Sequence, residues 1–472
     1  MANNKYKEFG VNATIFAISV FLSKLVSSIL VPVYTRTMST EEYGTADLVT
    51  MISHFIVPIC SITIHEAVYR YSADQKFSHK DVIRCGINIA WLSSISMIIV
   101  GIIVGFYNPV SNWIVYLIAI SIFTMFRNIL SLYTEAHGRV LLFGIDTIIC
   151  NFVLGVANIV LLVTLSMGIK GYFFATLISL GASIILLSFM GKIHLFPRIR
   201  SNDLTIIKPM VQYSAPMVFN SISWILMSII DRIMLTSLYT TSANGIYAVA
   251  SKVPTLVTVL TNAFTQAWGL SLVKSFENDL DNDFNHSIFE LFHLSVLFGT
   301  SLIMLFTNNF LQVIIGEEFS HAVTYIPTLL VGAFFLSYTS FYSSIYSAAK
   351  KTSKIATTSA MGLLVNVLLN AFLIPHIGIM GACIATTASY IAIAFFRIVD
   401  CKQYIDIKFN IPKWMCSIML LVLQGFFVST GYYDVLVSII ILLLLGLMYY
   451  QQIVTILKLV IRIVKARGRK EV

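Results

Sequence analysis

Charge is scarce in this chain. Of its 472 residues only 11% are Asp, Glu, Lys or Arg, whereas 57% are hydrophobic, a balance that excludes an ordinary water-soluble globular domain. Cysteine is sparse as well. Cys60, Cys85, Cys150, Cys383, Cys401 and Cys416 stand far apart, form no C-x-x-C and do not cluster with His, so they point to neither a disulfide framework nor a zinc site. A Gly-rich phosphate loop and G-x-S-x-G are missing too, and "HEAVYR" (65–70) lacks the second His of H-E-x-x-H. "DLDNDFNHSIFE" (279–290) spaces its acids like a calcium loop, but Phe284 stands where the sharp turn needs Gly. Without a nucleotide site, the available energy sources are ion gradients and the membrane potential, worth about 2.3 kcal/mol per charge per 100 mV.

What the chain does have is long apolar runs. A helix rises 1.5 Å per residue, so crossing a hydrocarbon core about 30 Å thick takes roughly 20 apolar residues. On that rule the sequence predicts about fourteen spans, at approximately 12–36, 46–68, 85–107, 113–135, 141–166, 171–191, 211–237, 245–268, 287–307, 323–348, 355–375, 379–399, 413–432 and 434–457. The first follows Lys5 and Lys7 and reaches about Pro32 with no small-residue cleavage site, so it reads as a retained span. The class is therefore an all-α integral membrane protein with short connections.

Basic residues are retained on the cytoplasmic side. With both termini cytoplasmic, the inside segments hold Lys5 and Lys7; Arg70, Lys76, Lys80 and Arg84; Arg139; Lys192, Arg198, Arg200 and Lys208; Lys274; Lys350, Lys351 and Lys354; and Arg397, Lys402, Lys408 and Lys413. The tail from Lys458 to Lys470 joins them, leaving Arg36 and Lys170 outside. The net charge of +9 is then mostly a topology signal and calls for no nucleic acid. The tail "KLVIRIVKARGRK" suits anionic membrane lipid, at about 1 kcal/mol per basic residue.

"GIKGYFFATLIS" (168–179) and "GIMGACIATTAS" (378–389) agree in register at Gly, Ile, Gly, Ala, Thr and Ser. They open the sixth and twelfth spans, so six spans separate them and the halves read as parallel repeats. "EYGTA" (42–46) after span one answers "NGIYA" (244–248) after span seven, and Asn151/Asn158 in span five answer Asn366/Asn370 in span eleven. Small-residue helix packing could also produce such motifs. Their matched position in both halves favours duplication, with a substrate cavity between the repeats.

Ionisable side chains inside a bilayer cost at least about 2.5–3.5 kcal/mol and normally face a partner or a wet cavity. The basic candidates for cavity lining are Lys24, Arg127, Arg232 and Lys252, with Lys24 midway along span one and best placed for a central site. The acidic candidates, as coupling or ion-pairing groups, are Glu66, Asp146, Asp231 and Glu290, with Glu135 at a membrane edge. Ion pairs between the two sets are the alternative. Asp231 and Arg232 are neighbours, but successive helix residues point about 100° apart, so each needs its own partner. Both fall toward the outer end of span seven. Asn151/Asn158 and Asn366/Asn370 each share a helical face, suited to sugar hydroxyls or to interhelical hydrogen bonds. Pro32, Pro58, Pro216, Pro254 and Pro327 lie within or near spans, as hinges or as plain kinks.

"PVYTRTMSTEEYG" (32–44), "YSAPM…DRIML" (213–235), "NGIYAVASKV" (244–253) and "GIMGACIATTASY" (378–390) resemble the polysaccharide transporter family, whose best-known members are Wzx-type flippases of O-antigen and capsule repeat units. The resemblance implies a MATE-like fold of the multidrug/oligosaccharidyl-lipid/polysaccharide (MOP) superfamily: two pseudo-symmetric six-helix lobes, two extra C-terminal helices and alternating access. The corresponding divisions are 1–200, 201–408 and 409–472. It implies a lipid-linked oligosaccharide substrate on polyprenyl diphosphate, moved to the outer leaflet of a bacterial inner membrane without covalent chemistry or cofactor. A polysaccharide polymerase and chain-length machinery come into range as partners. Two other readings stay open: a cation-coupled MATE-like antiporter using Asp146 or Glu66, and a membrane polymerase or glycosyltransferase, for which the outer loops are short.

Overall fold

The computed structural model describes residues 26, 29–73, 78–107, 113–137, 139–198, 203–277, 282–349, 351–405, 407 and 410–454. Among them all regular structure is helical. In a hydrocarbon medium every backbone N–H and C=O must be paired inside the segment, and an apolar chain achieves that as a helix.

Packing divides the chain between Ala248 and Val249 into two compact units, with Glu317–Phe319 joining the first. In unit 1 a helical stretch at 29–37 is followed by α1 (Thr40–Cys60), α2 (Ile64–Ala73), α3 (His79–Tyr107), α4 (Ile114–Ala136), α5 (Val140–Asn158), a π-helical extension (Ile159–Thr164), α6 (Gly168–Gly191), α7 (Asp203–Leu238) and nearly all of α8 (Thr241–Ala250). Unit 2 contains α9 (Thr255–Glu277), α10 (Asn282–Ile314), α11 (Ala322–Ala348), α12 (Thr352–Cys401), α13 (Ile411–Thr430) and α14 (Asp434–Met448).

Among the described residues, nine helices are long and apolar enough to cross a membrane. One of them, α12, carries two of the expected spans. The chain doubles back inside it at Gly378, where φ 57° and ψ −130° interrupt the helix three residues after Pro375. Gly168, the matching residue of the first repeat copy, has φ +55°. The second glycines match as well. A Cβ on Gly171 would lie 3.2 Å from the Leu161 carbonyl oxygen, and one on Gly381 2.7 Å from that of Leu373. Each copy thus uses one glycine for a left-handed turn and the next for close approach to the preceding helix, which is the physical content of the shared G-I-x-G.

Two spans that read as continuous are broken. The second divides between α1 and α2 at 61–63, where Ile62 and Thr63 have φ 50° and 47°, just after Pro58. The eighth divides between α8 and α9 at 251–254, held by i→i−3 bonds such as Thr255 N to Lys252 O at 3.2 Å. Pro254 lacks the N–H that a continuous helix would use.

Helix ends are built by short-range chemistry. Ser39 and Glu42 form a reciprocal capping box at the start of α1, both bonds being 3.1 Å. Thr240 caps α8 at the matching place through Ala243 N, at 3.0 Å. The segment after α6 is strapped to α3: Asn88 exchanges two 2.9 Å bonds with the Arg198 backbone, Trp91 Nε1 donates to Leu195 O, and Arg84 pairs with Asp203 at 2.6 Å and with Asp81.

Arg397, counted in the sequence with the basic residues of the cytoplasmic side, is 0% exposed within α12. Its Nε donates to Thr358 Oγ1 (2.9 Å), Nη1 to Thr339 O (2.7 Å) and to Ser343 Oγ, and Nη2 to Ile355 O (3.2 Å) and Ser359 Oγ (3.0 Å). Five donors meet five neutral acceptors across α11 and both arms of α12. A guanidinium can be buried without a carboxylate when every N–H is satisfied in this way.

Candidate functional site

A buried charged cluster of unit 1 lies where α1, α7 and α8 meet. α1 and α8 approach so closely that no side chain fits between them: a Cβ on Gly44 would sit 2.2 Å from Thr241 O, and one on Gly245 1.9 Å from Thr40 O. Asn244 Nδ2 donates to Gly44 O at 2.8 Å and joins the two backbones. These are the glycines of "EYGTA" and "NGIYA", so the two echoes found in the sequence pack directly against each other. Beside them Tyr34 stacks on Tyr43 with ring centroids 5.6 Å apart, and Tyr172 meets Tyr34 edge-on at 5.2 Å.

One turn beyond the glycines, Arg232 Nε donates to Asp47 Oδ2 at 2.6 Å, with side-chain exposures of 8% and 5%. Its guanidinium carbon lies 5.6 Å from the centre of the Tyr247 ring. The Tyr247 hydroxyl donates to Asp231 Oδ2 at 2.7 Å. Neighbours in sequence therefore make different contacts: Arg232 pairs with Asp47 of α1 and faces the Tyr247 ring of α8, while Asp231 accepts from the Tyr247 hydroxyl. Asp47 was missed in the sequence because it sits at the edge of a span, where an acid looks solvated.

Arg127, Asp146 and Ser183 make a second cluster joining α4, α5 and α6. Arg127 Nη2 pairs with Asp146 Oδ2 at 3.1 Å, Arg127 Nε donates to Ser183 Oγ at 2.9 Å, and Ser183 Oγ donates to Asp146 Oδ1 at 2.5 Å. Asp146 is wholly buried while Arg127 keeps 22% exposure. The enclosed carboxyl group thus accepts from two donors, Arg127 and Ser183. The Arg127 Nη1 group has no partner among the described residues, which leaves N–H capacity on this partly exposed guanidinium.

The other candidates are dispersed. Lys24 lies outside the described residues. Lys252 is half-buried in the break of the eighth span. Glu66 opens α2 beside His65, at 4.0 Å, and Glu135 lies in the last turn of α4. Glu290 in α10 is 3.7 Å from His286. Asn151 and Asn158 donate to carbonyls of their own helix, Thr147 O (2.7 Å) and Leu154 O (2.8 Å). Asn370 Nδ2 donates to Asn366 Oδ1 at 3.1 Å, and Asn366 Nδ2 lies 3.4 Å from Thr386 Oγ1 on the returning arm of α12. Neither metal-ligating groups of three or more nor a disulfide occurs among the described residues.

Comparison with solved structures places the fold of this helical chain. It is similar to a lipid II flippase MurJ in an inward closed conformation, with 13% identity, a TM-score of 0.67 and coverage of 93% of this chain and 100% of that one. It is also similar to a multidrug resistance MATE family transporter of the MOP superfamily in its inward-facing conformation (13% identity, TM-score 0.61, 83% and 97% covered) and in its outward-facing conformation (14%, 0.58, 83% and 95%). The fold is thus the MurJ/MATE-like fold. The family model described as "Polysaccharide biosynthesis protein" matches residues 9–268, more than half of the sequence, and the chain belongs to that family. No curated protein matches it.

Proposed function

We propose that this protein is a flippase that carries polyprenyl-diphosphate-linked oligosaccharide repeat units from the cytoplasmic to the outer leaflet of a bacterial inner membrane, for surface polysaccharide assembly. The observation that carries the reading is family membership over residues 9–268 on a fold similar to that of a lipid II flippase. Translocation needs no covalent step. It needs a hydrated path with fixed positive charge, because a diphosphate leaving water must exchange its hydration shell for protein donors. In this reading Lys24, Arg127 and Lys252 supply that charge, and the asparagines of spans five and eleven contribute hydrogen bonds to sugar hydroxyls.

The Asp47–Arg232 pair and the Gly44–Gly245 crossing serve as latches between the repeats, made and released as the site alternates between the two faces of the membrane. With its carboxylate enclosed by Arg127 and Ser183, Asp146 suits structural pairing better than ion coupling. The six spans after each repeat start, 1–200 and 201–408, act as the moving halves, and 409–472 is appended to them.

The deciding experiment is deletion of the gene. The expected result is loss of surface polysaccharide with accumulation of lipid-linked repeat units on the cytoplasmic face. Intact surface polysaccharide with no such build-up would overturn the proposal. Cation-dependent drug tolerance conferred in its place would establish an antiporter.

A further inference from the structure

The hairpin of α13 and α14 is tied to α10 by three buried polar contacts, all within unit 2. They fall at His293, Ser301 and Asn308, each at most 7% exposed, about two helical turns apart and hence on one face of α10. Together they run about 22 Å along the helix, most of a hydrocarbon core about 30 Å thick.

At one end the tie is a closed circuit of hydrogen bonds. An indole only donates and a backbone carbonyl only accepts, so its direction is fixed. Trp414 Nε1 donates to Tyr338 Oη at 3.0 Å, the Tyr338 hydroxyl donates to His293 Nδ1, and His293 Nε2 donates to Tyr449 Oη at 2.8 Å. The Tyr449 hydroxyl then donates to Ser417 Oγ at 3.4 Å, and Ser417 Oγ to Trp414 O at 2.7 Å. The imidazole sits in this circuit with its proton on Nε2. It joins α10 and α11 to the start of α13 and to Tyr449, which ends α14.

Midway, Ser301 Oγ donates to Gln424 Oε1 at 2.6 Å, and Gln424 Nε2 returns a bond to Ser301 O at 2.9 Å. At the other end, Asn308 Nδ2 places both of its N–H groups on the hairpin. One meets Val428 O at 2.9 Å, in the last turn of α13, and the other meets Oδ2 of Asp434, the first residue of α14, at 2.7 Å. The last carbonyls of a helix have no partner within it, so one side chain of α10 caps the first helix of the hairpin and holds the start of the second.

Lipid tails are as apolar as leucine, so apolar faces alone give helices little reason to keep one register in a bilayer; close packing and interhelical hydrogen bonds supply it. Packing is close here as well. A Cβ on Gly425 of α13 would lie 3.8 Å from Met304 Cε of α10 and 3.6 Å from Pro327 Cβ of α11. Sliding the hairpin along α10 by one turn, about 5.4 Å, would break all three ties at once and leave their donors and acceptors without partners in hydrocarbon.

We propose that these ties make the α13–α14 hairpin a fixed part of unit 2, keyed to α10 in a single register, and not a lid that slides or swings away from it.

The test is double electron–electron resonance on the full chain in lipid nanodiscs, with nitroxides on Ser295→Cys of α10 and Tyr432→Cys between α13 and α14, both exposed sites. Cys60 and Cys416 are replaced by Ser, and the other four cysteines are buried. A pair within α10 alone, Ser295→Cys/Phe306→Cys, gives the width expected of a rigid body. The expected result is one distance population as narrow as that reference. A second population shifted by about 5.4 Å or more, or a distribution broader than the reference, overturns the proposal without reference to any further variant. Asn308→Leu/Gln424→Leu removes two ties and keeps apolar bulk, and should broaden or divide the distribution. If that distribution stays as narrow as the parent's, the polar ties do not set the register and the proposal falls. The readout is a distance inside unit 2, so it stands or falls independently of transport.

Discussion

Substituting Gly245 by Ala adds one methyl group where α8 crosses α1. The new Cβ would lie 1.9 Å from Thr40 O and 2.9 Å from Thr40 C, both backbone atoms, and real Cβ atoms essentially never come within 3.0 Å of such neighbours. The helices must therefore part by about 1.1 Å to relieve the first contact. The same displacement carries the Asn244–Gly44 bond from 2.8 Å to about 3.9 Å, outside hydrogen-bonding range, and loosens the 2.6 Å Asp47–Arg232 pair. Overpacking costs about 1–3 kcal/mol, and a buried donor left unsatisfied about 1–3 kcal/mol more. The expected loss is therefore about 2–6 kcal/mol. Thermal denaturation of the purified protein in mild detergent, followed by tryptophan fluorescence, reads it directly. Gly446→Ala is the matched control, because a Cβ there meets nothing within 4 Å and helix propensity favours Ala by up to about 1 kcal/mol. Should Gly245→Ala melt together with Gly446→Ala, the proposed backbone contact between α1 and α8 is wrong.

Five further substitutions probe the other interhelical contacts and turns. Removing either member of the buried Asp47–Arg232 pair should cost about 3–5 kcal/mol by stranding a charge. The Asp47→Ala/Arg232→Ala double variant should lose clearly less than the sum of the singles, and an additive cycle would mean that the pair does not interact. Arg397→Lys replaces five donors by three, leaving at least two of its acceptors unmet at about 1–3 kcal/mol each. A melting temperature equal to the parent's would show that the buried guanidinium is not fully engaged. Gly168→Ala and Gly378→Ala place an L side chain at φ +55° and +57°, at a cost of about 1–2 kcal/mol each. Limited proteolysis should find the turns at these two residues newly exposed, and no change at either would refute the shared turn geometry.

The helical membrane class was legible from hydropathy because span length is set by bilayer thickness, a property of the solvent and not of the fold. Repeat motifs were legible where they carry backbone geometry, as with the glycines at 168 and 378, whose positive φ restricts the residue type. Asp231 and Arg232 stood out as charges in an apolar run. Their divergence toward different partners followed from helix periodicity alone. The partner of Arg232 could not be named, since Asp47 is 185 positions away and its own neighbourhood resembles a span edge. The burial of Arg397 was out of reach for a related reason. In the one-dimensional count a basic residue near the end of a span belongs to the adjoining loop, and only the convergence of α11 with both arms of α12 supplies the five acceptors that let it remain inside. The breaks at 61–63 and 251–254 were hinted at by Pro58 and Pro254, but proline can also be tolerated as a kink, and packing decides between the two outcomes.

By itself, then, the amino-acid order determined that the chain enters a membrane, roughly where it crosses, and that its halves are related, because hydrophobicity, period and turn stereochemistry are local properties of the chain. Tertiary structure alone decided which charges neutralise one another and which glycines touch. It also decided which polar side chains remain available to a ligand, because those outcomes depend on side chains brought within a few ångströms from positions hundreds of residues apart.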